Sequence, residues 1–460
     1  MGPEEMKRVG PVLEAFAEQM LGGLRRRDQR EKGELYLRGL LLDGKRKSMR
    51  PMADRLGIDH QCLQQFITSS TWSHSEVRRR LTRWAVGFVD PVALVVDDSS
   101  FPKDGPASPG VARMYSCALG RVGNCQIGVS VHAATDWASA ALNWRLFLPA
   151  SWDDRALDDP DQIAAAWARR ARAAIPDDQR HQEKWRLALD MVDELRGWGM
   201  PVRPVVADAS YGDVAAFRQG LTDRGVPYLL AVTSTATAYP TDAVPVTAPY
   251  PAGGRPPSPA RPDPPRDLRA LVTTAGHAAG RSVTWRADAP VAAGNPTGAM
   301  CSRFVVQRVR PASRNTTRAP GRNPLECWLL AEWPPGVAEP SDYWLSTLPA
   351  DVPLRGLVRL AKIRQQIEQD YRELRDGLGL DHFEGRSWTG WHRHVTLVSI
   401  AQAVCTRLRR APEAPAPARP SLARSFPESS REPARPSMAK AGSAGRSAHD
   451  RAARLSGQPG

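Results

Sequence analysis

The chain has 460 residues, 42% of them hydrophobic and 24% charged, enough for a large core and for two or three domains. Its 63 Lys and Arg against 49 Asp and Glu leave a net charge of +14, which favours an acidic partner such as nucleic acid or an anionic membrane surface. No run of apolar residues is long enough to span a bilayer and the opening Met1–Phe16 lacks the order of a secretory signal, so the chain reads as cytoplasmic, with no membrane partner. Residues 1–90 read as helical and basic. Glu34–Leu42 carries apolar residues three and four apart, and Pro51–Ile58 and Gln61–Ile67 read as two short helices around a turn at Gly57. That outline is a helix-turn-helix, flanked by the basic runs Arg25–Arg27, Lys45–Lys47 and Arg78–Arg80. A DNA-docking domain and a plain helical bundle with a solvated basic face both account for it.

From residue 91 the pattern changes to short apolar runs. Ala93–Val96 reads as a buried strand that ends at Asp97-Asp98-Ser99-Ser100. Gln126–Ala133 and Ala141–Leu148 read as two further strands. Helices are expected near 162–175 and 181–197, then a strand Val202–Ala207 ending in Asp208, a helix near 213–223 and a strand Tyr228–Val232. Three strands followed by alternating helix and strand predict an α/β domain, a mixed sheet flanked by helices in the order of an RNase H-like fold. Residues 239–266 are too rich in Pro, Gly and Ala to pack, with strand-like pieces returning at Ser282–Trp285 and Arg303–Val309. Cys327–Glu332 reads as a strand, 354–378 as one long helix and 390–410 as the last helix. The expected division is a helical DNA-binding domain at 1–90, a catalytic domain in two parts at 91–234 and 326–410, an inserted, partly β subdomain at 235–325, and a disordered tail at 411–460.

Three acids stand at special points. Asp97 and Asp208 follow buried strands, and Glu368 lies in the long helix beside an apolar stripe of Leu360, Ile363, Ile367, Leu374 and Leu378. Carboxylates at the ends of adjacent strands, faced by one from a helix, can converge above a sheet edge. Hard divalent cations prefer such oxygen donors, and two of them suit phosphodiester displacement. Taken singly, the aspartates could be turn or capping residues and the glutamate a solvated partner of Arg364 or Arg372. Arg364, Arg372 and Arg375 adjoin Glu368 at helical spacing and could bind a DNA backbone.

Other features read as structural. The six cysteines are scattered, without a C-x-x-C pair, and read as free thiols. His392 and His394 lack a third ligand nearby. Ser99 and Ser100 sit in no G-x-S-x-G elbow. Trp285 could stack on an unpaired base, but core packing is its ordinary use.

Several stretches are more specific. Val95–Lys103, Gly110–Tyr115 and Gly120–Val131 resemble insertion-sequence transposases of the DDE superfamily, nearest the group numbered seven hundred and one. The resemblance continues in Val205–Gly212, Ile367–Arg375 and Gly379–Trp388, with Leu63–Ile67 and Trp72 also typical. It implies an RNase H-like core whose DDE triad falls on Asp97, Asp208 and Glu368, with Asp98 the fallback for the first acid. It also implies two Mg(II) or Mn(II) ions, cleavage at the terminal inverted repeats, strand transfer into target DNA, and a homodimer on DNA. Related elements carry Tyr, Arg, Glu and Lys around the glutamate. At those spacings this chain has Ala361, Arg364, Glu368 and Arg375, so the tyrosine is missing and Arg replaces Lys. A catalytically silent, DNA-binding descendant is the alternative. A glycosidase using two of the acids would leave the basic charge without a purpose.

Overall fold

The computed structural model describes residues 1–243, 263–287, 298–312 and 325–410. Most of the proline-rich run and the whole tail beyond 410 lie outside the described residues. Five helices come first: α1 (Pro3–Leu21), α2 (Arg27–Leu41), α3 (Met49–Leu56), α4 (His60–Thr68) and α5 (His74–Phe88). Proline at the start of α1 loses no hydrogen bond there, and Glu4 and Glu5 face the positive end of the helix dipole. Asp59 caps α4 by accepting from the Gln61 N–H, and Ser73 caps α5 by accepting from the Glu76 N–H. Between α3 and α4 the chain reverses at Gly57, whose φ of 66° lies in the left-handed region that glycine tolerates. The expected pair of short helices around Gly57 is therefore present.

The basic runs are not all surface. Arg78 is 1% exposed and lies between α5 and the sheet. Lys47 is also buried; its ammonium donates to the Leu42 carbonyl, and burial pulls its pKa down to about 8. One residue in each of two runs thus serves the fold and cannot meet a phosphate.

The sheet begins with β1 (Ala93–Pro102), β2 (Ala112–Ser116), β3 (Arg121–Ala134) and β4 (Ser139–Leu146). After α6 (Pro160–Ala173) and α7 (Lys184–Gly197) come β5 (Val205–Ala207), the one-turn α8 (Ala209–Gly212), α9 (Ala215–Asp223) and β6 (Tyr228–Val232). A second group follows: β7 (Thr237–Pro240), β8 (Arg266–Asp267), α10 (Leu268–Ala275), β9 (Arg281–Arg286), β10 (Met300–Pro311), β11 (Cys327–Glu332) and β12 (Asp342–Ser346). Three helices end the described chain, α11 (Leu354–Lys362), α12 (Arg364–Arg372) and α13 (Trp388–Arg409). Neighbouring strands run β2–β3–β1–β5–β6–β12–β11–β10–β7–β8, with β4 also on β3 and β9 also on β10. The pairs β1–β5 and β5–β6 are parallel and the remainder antiparallel, so the sheet is mixed, as expected, and flanked by helices.

Two expectations need correction. β1 does not end at Asp97; it runs to Pro102, paired with β3 from Ala93 opposite Ala134 to Pro102 opposite Cys125. What ends is its parallel neighbour, because β5 pairs only with Leu94 and Val95. The polar Asp97–Ser100 segment therefore stays in the sheet while one flank of the strand opens. The single helix expected over 354–378 is broken at Ile363, where bonding tightens to the carbonyl three residues back, and it closes in a π-helical turn at Glu373–Gly377. The halves answer to different parts of the sheet: α11 packs on β6 and β9, α12 on β1, β3 and β4.

Nearly all of α13 is buried, on every side, between β4 and the helices α2, α4 and α5. Most of its polar side chains bond within the fold, although the Arg393 Nε is buried without a partner among the described residues. Arg393 donates to the carbonyls of Ile67, Ser70 and Trp72, closing the C-terminal end of α4. His394 bonds the Tyr36 hydroxyl at 2.9 Å and the Gly379 carbonyl at 3.1 Å, while His392 stacks on His74. Both histidines belong to the core, and all six cysteines are free.

Candidate functional site

Register brings two of the three acids together. Val95 lies opposite Val206 in the parallel pair. Carrying that register two residues on sets Asp97 level with Asp208, and in parallel strands level residues face the same side. Asp208 then caps α8, its Oδ1 accepting from the Ser210 N–H at 3.0 Å and the Ser210 hydroxyl at 2.6 Å. Asp97 Oδ1 accepts from the Asp98 N–H at 2.8 Å. Each carboxylate spends one oxygen locally and turns the other to the same cation. Arg364 Nη2 is 3.3 Å from Asp97 Oδ2 and 3.6 Å from Asp208 Oδ2.

Asp97 is only 6% exposed, and burial raises its pKa from 3.8 to about 6, against the pull of Arg364 and with a further push from Asp208. Asp98, the next residue on the strand, projects the other way and pairs with Lys184 of α7. Glu368 stands one turn beyond Arg364 on α12, exposed, and its charge is felt by that guanidinium. Among the described residues no three carboxylate, imidazole or thiol groups form a ready cation cage. Asp97 and Asp208 are thus joined through Arg364, with Glu368 beside them but not closing the cluster. The donor set suits a hard divalent ion: two aspartate oxygens, one of them desolvated, already turn to one positive charge.

Comparison with known families settles the relationship. A family described as DDE superfamily endonuclease matches residues 19–289, and one described as transposase DDE domain matches 179–403. This chain belongs to the DDE superfamily endonucleases. A curated relative, the probable transposase for insertion sequence element IS701 from Microchaete diplosiphon, is 22% identical over 200 residues. The match covers 43% of this chain and 47% of that protein, so the chain spans about half the length of the relative. The resemblance drawn from the motifs, to an insertion-sequence DDE transposase, is borne out.

Other groups hold these acids in place. The Tyr371 hydroxyl lies 2.6 Å from Ser130 Oγ, which also lies 3.0 Å from His132 Nε2 and donates to the Asp97 carbonyl at 3.4 Å. Asp370 accepts from Ser139, and its carboxylate stands 3.8 Å from His132 Nδ1. This buried network fastens α12 to β1, β3 and β4. Tyr211 lies beneath the acids, fully buried; burial and the charges of Asp98, Asp97 and Asp208 push its pKa well up, and its hydroxyl has no partner among the described residues. The three arginines of α12 and the following turn part company. Arg364 reaches the acids, and Arg375 ties down β1 through Ser99 Oγ at 2.5 Å and the Ser100 carbonyl at 3.2 Å. Arg372 is exposed and lines a separate cleft with Gln369, Glu373 and Arg409.

Sequence reasoning passed over Tyr211, Ser130, His132 and Gly212, although Tyr211 and Gly212 stand in the same motif as Asp208. Gly212 has a steric reason to be glycine: an added Cβ would lie 1.8 Å from the Ala231 carbonyl oxygen of β6. Gly212→Ala is expected to push α8 off the sheet and cost about 1–3 kcal/mol of unfolding free energy. Urea denaturation of the two proteins checks this, and an unchanged midpoint would show that α8 has room to move. Trp285 is half-buried, meets Phe304 edge-on and lies under the Lys362 ammonium at the wall of a cleft, not within the closed core.

Proposed function

We propose that this chain is a DNA transposase whose Asp97, Asp208 and Glu368 hold divalent cations for cutting the ends of an insertion sequence and joining them to target DNA. The observation that supports it best is the in-register meeting of Asp97 and Asp208 on one cationic group, presented by the helix that also carries Glu368. The order β4–β3–β1–β5–β6, with β3 antiparallel to β1 and with β5 and β6 parallel to it, favours reading this part of the sheet as RNase H-like.

Mg(II) or Mn(II), when bound, supplies the Lewis acidity that phosphodiester displacement requires. Asp97 brings a desolvated carboxylate, Asp208 one oriented by its capping of α8, and Glu368 a third from α12. Arg364 supplies a guanidinium for a phosphate oxygen, and exposed Arg372 a second cation from its separate cleft, while Arg375, expected to bind DNA as well, is engaged by Ser99 and Ser100 of β1. Residues 1–90 form the DNA-docking domain, with α3 and α4 as its helix-turn-helix. Residues 235–325 form an insert between the catalytic parts 91–234 and 326–410. Terminal inverted repeats and target DNA are the substrates, and pairing two ends calls for a homodimer. The setting is the bacterial cytoplasm; among the described residues no helix is long and apolar enough to cross a membrane.

The test is incubation with duplexes carrying the element's own ends and Mg(II) or Mn(II), resolved strand by strand. Cleavage at the repeat boundary is expected. Asp97→Ala, Asp208→Ala and Glu368→Ala should each lower it by more than about a hundredfold while gel-shift binding stays near wild type. Undiminished cleavage by all three variants would remove the site, and binding without any cleavage would favour a DNA-binding regulator.

A further inference from the structure

Arg364 does something more specific than border the acids. Its Nη2 lies within 3.6 Å of the outward oxygen of both Asp97 and Asp208, while the inward oxygens are already taken by the Asp98 N–H and by Ser210. The oxygens that meet the guanidinium are therefore the ones left for any other cation. Its Nε is buried without a hydrogen-bond partner among the described residues, so the side chain is held by these carboxylates and not by a full set of bonds. α12 itself is anchored independently, through Tyr371 on Ser130 and Asp370 on Ser139. The arginine can swing on its long stem while Glu368 keeps its place.

We propose that Arg364 is an exchangeable stand-in for the metal: its guanidinium holds Asp97 and Asp208 together until a divalent ion takes their outward oxygens, and it then passes to a phosphate of bound DNA. The inference rests on the proposed function and deepens it. Two carboxylates brought level on neighbouring strands, one of them desolvated, repel one another, and a cation between them relieves this. Guanidinium and ion cannot both use the same oxygens, so they compete. A DNA phosphate offers the displaced guanidinium a new bidentate partner. By linkage, DNA that favours the displaced arginine strengthens metal binding, and metal strengthens DNA binding by the same factor. The site would then load metal chiefly when DNA is present.

Mn(II) binding to the full chain, read as loss of the free-ion electron paramagnetic resonance signal, tests this without relying on turnover. Without DNA, Arg364→Gln should bind Mn(II) about five- to tenfold more tightly than wild type, the scale of one partly exposed ion pair no longer broken on loading. Arg364→Lys, which keeps a positive charge there, should stay close to wild type and controls for folding. Adding a duplex with the element's end should tighten Mn(II) binding to wild type severalfold and leave Arg364→Gln almost unmoved. Unchanged or weaker binding by Arg364→Gln, with Asp97→Asn still abolishing binding, would overturn the stand-in and leave the carboxylate site intact. If Asp97→Asn and Asp208→Asn bind Mn(II) as wild type does, the carboxylate site itself fails.

Discussion

Asp97→Asn should make the metal-free protein more stable at neutral pH while it destroys cleavage. Burial raises the Asp97 pKa to about 6 from an ordinary 3.8, with Asp208 adding to the rise and Arg364 opposing it. Between those values the folded chain keeps a proton that the unfolded chain has released. Stability conferred by the protonated form is therefore lost as pH rises from about 4 to about 6, and above that the ionised group costs roughly 3 kcal/mol. Asparagine keeps the shape and carries no charge to desolvate. Urea denaturation in a chelator should show the variant stabler by up to about that amount at pH 7.5, with the gap closing towards pH 4. Parallel stability–pH curves for the two proteins would mean that the carboxylate is adequately solvated or paired.

Arg78→Met should cost about 3–5 kcal/mol, the penalty typical of removing one member of a buried charged network. The guanidinium is fully enclosed and donates to Thr396 Oγ1 at 2.7 Å, Asn143 Oδ1 at 3.1 Å, and the Trp144 and His392 carbonyls at 2.8 and 3.0 Å. Those groups come from β4 and α13, so one side chain on α5 fastens the first helices to both. Methionine fills similar volume and leaves four acceptors facing a thioether. Chemical denaturation of soluble protein gives the number, and Arg78→Lys, with fewer donors on a shorter reach, should recover only part of it. A loss below about 1 kcal/mol would mean that water replaces the guanidinium.

Continuous apolar runs such as Ala93–Val96 and Tyr228–Val232 announced the central strands because strands covered on both faces need nothing polar. The same rule misplaced the end of β1. Asp97, Ser99 and Ser100 look like a turn, yet they stay in the ladder because β3 continues beside them. β2 escaped notice since its Ala112–Ser116 alternates with exposed residues, and β12 since Asp342–Ser346 is short and sits between polar segments. The apolar stripe from Leu360 to Leu378 is buried as read, but periodicity survives a one-residue break and so hid the kink at Ile363. Asp208 was legible as the acid that follows a strand, and Asp97 as the acid that follows an apolar run, although its strand continues past it. Arg364 as their shared partner was not, because a link between residues 267 positions apart exists only in the folded chain. Arg78 carried no mark separating it from Arg79, since a run of arginines shows charge and not direction.

The placement of α13 has a consequence for how such a chain can change over time. Because this last helix is the common floor of both the opening helices and the strands, those opening helices are not a detachable cassette. A fragment ending near residue 90 would bare the faces of α2, α4 and α5 that α13 covers. If α3 and α4 dock DNA as proposed, a new preference would arise by altering their outer faces, not by exchange of the whole segment with another protein.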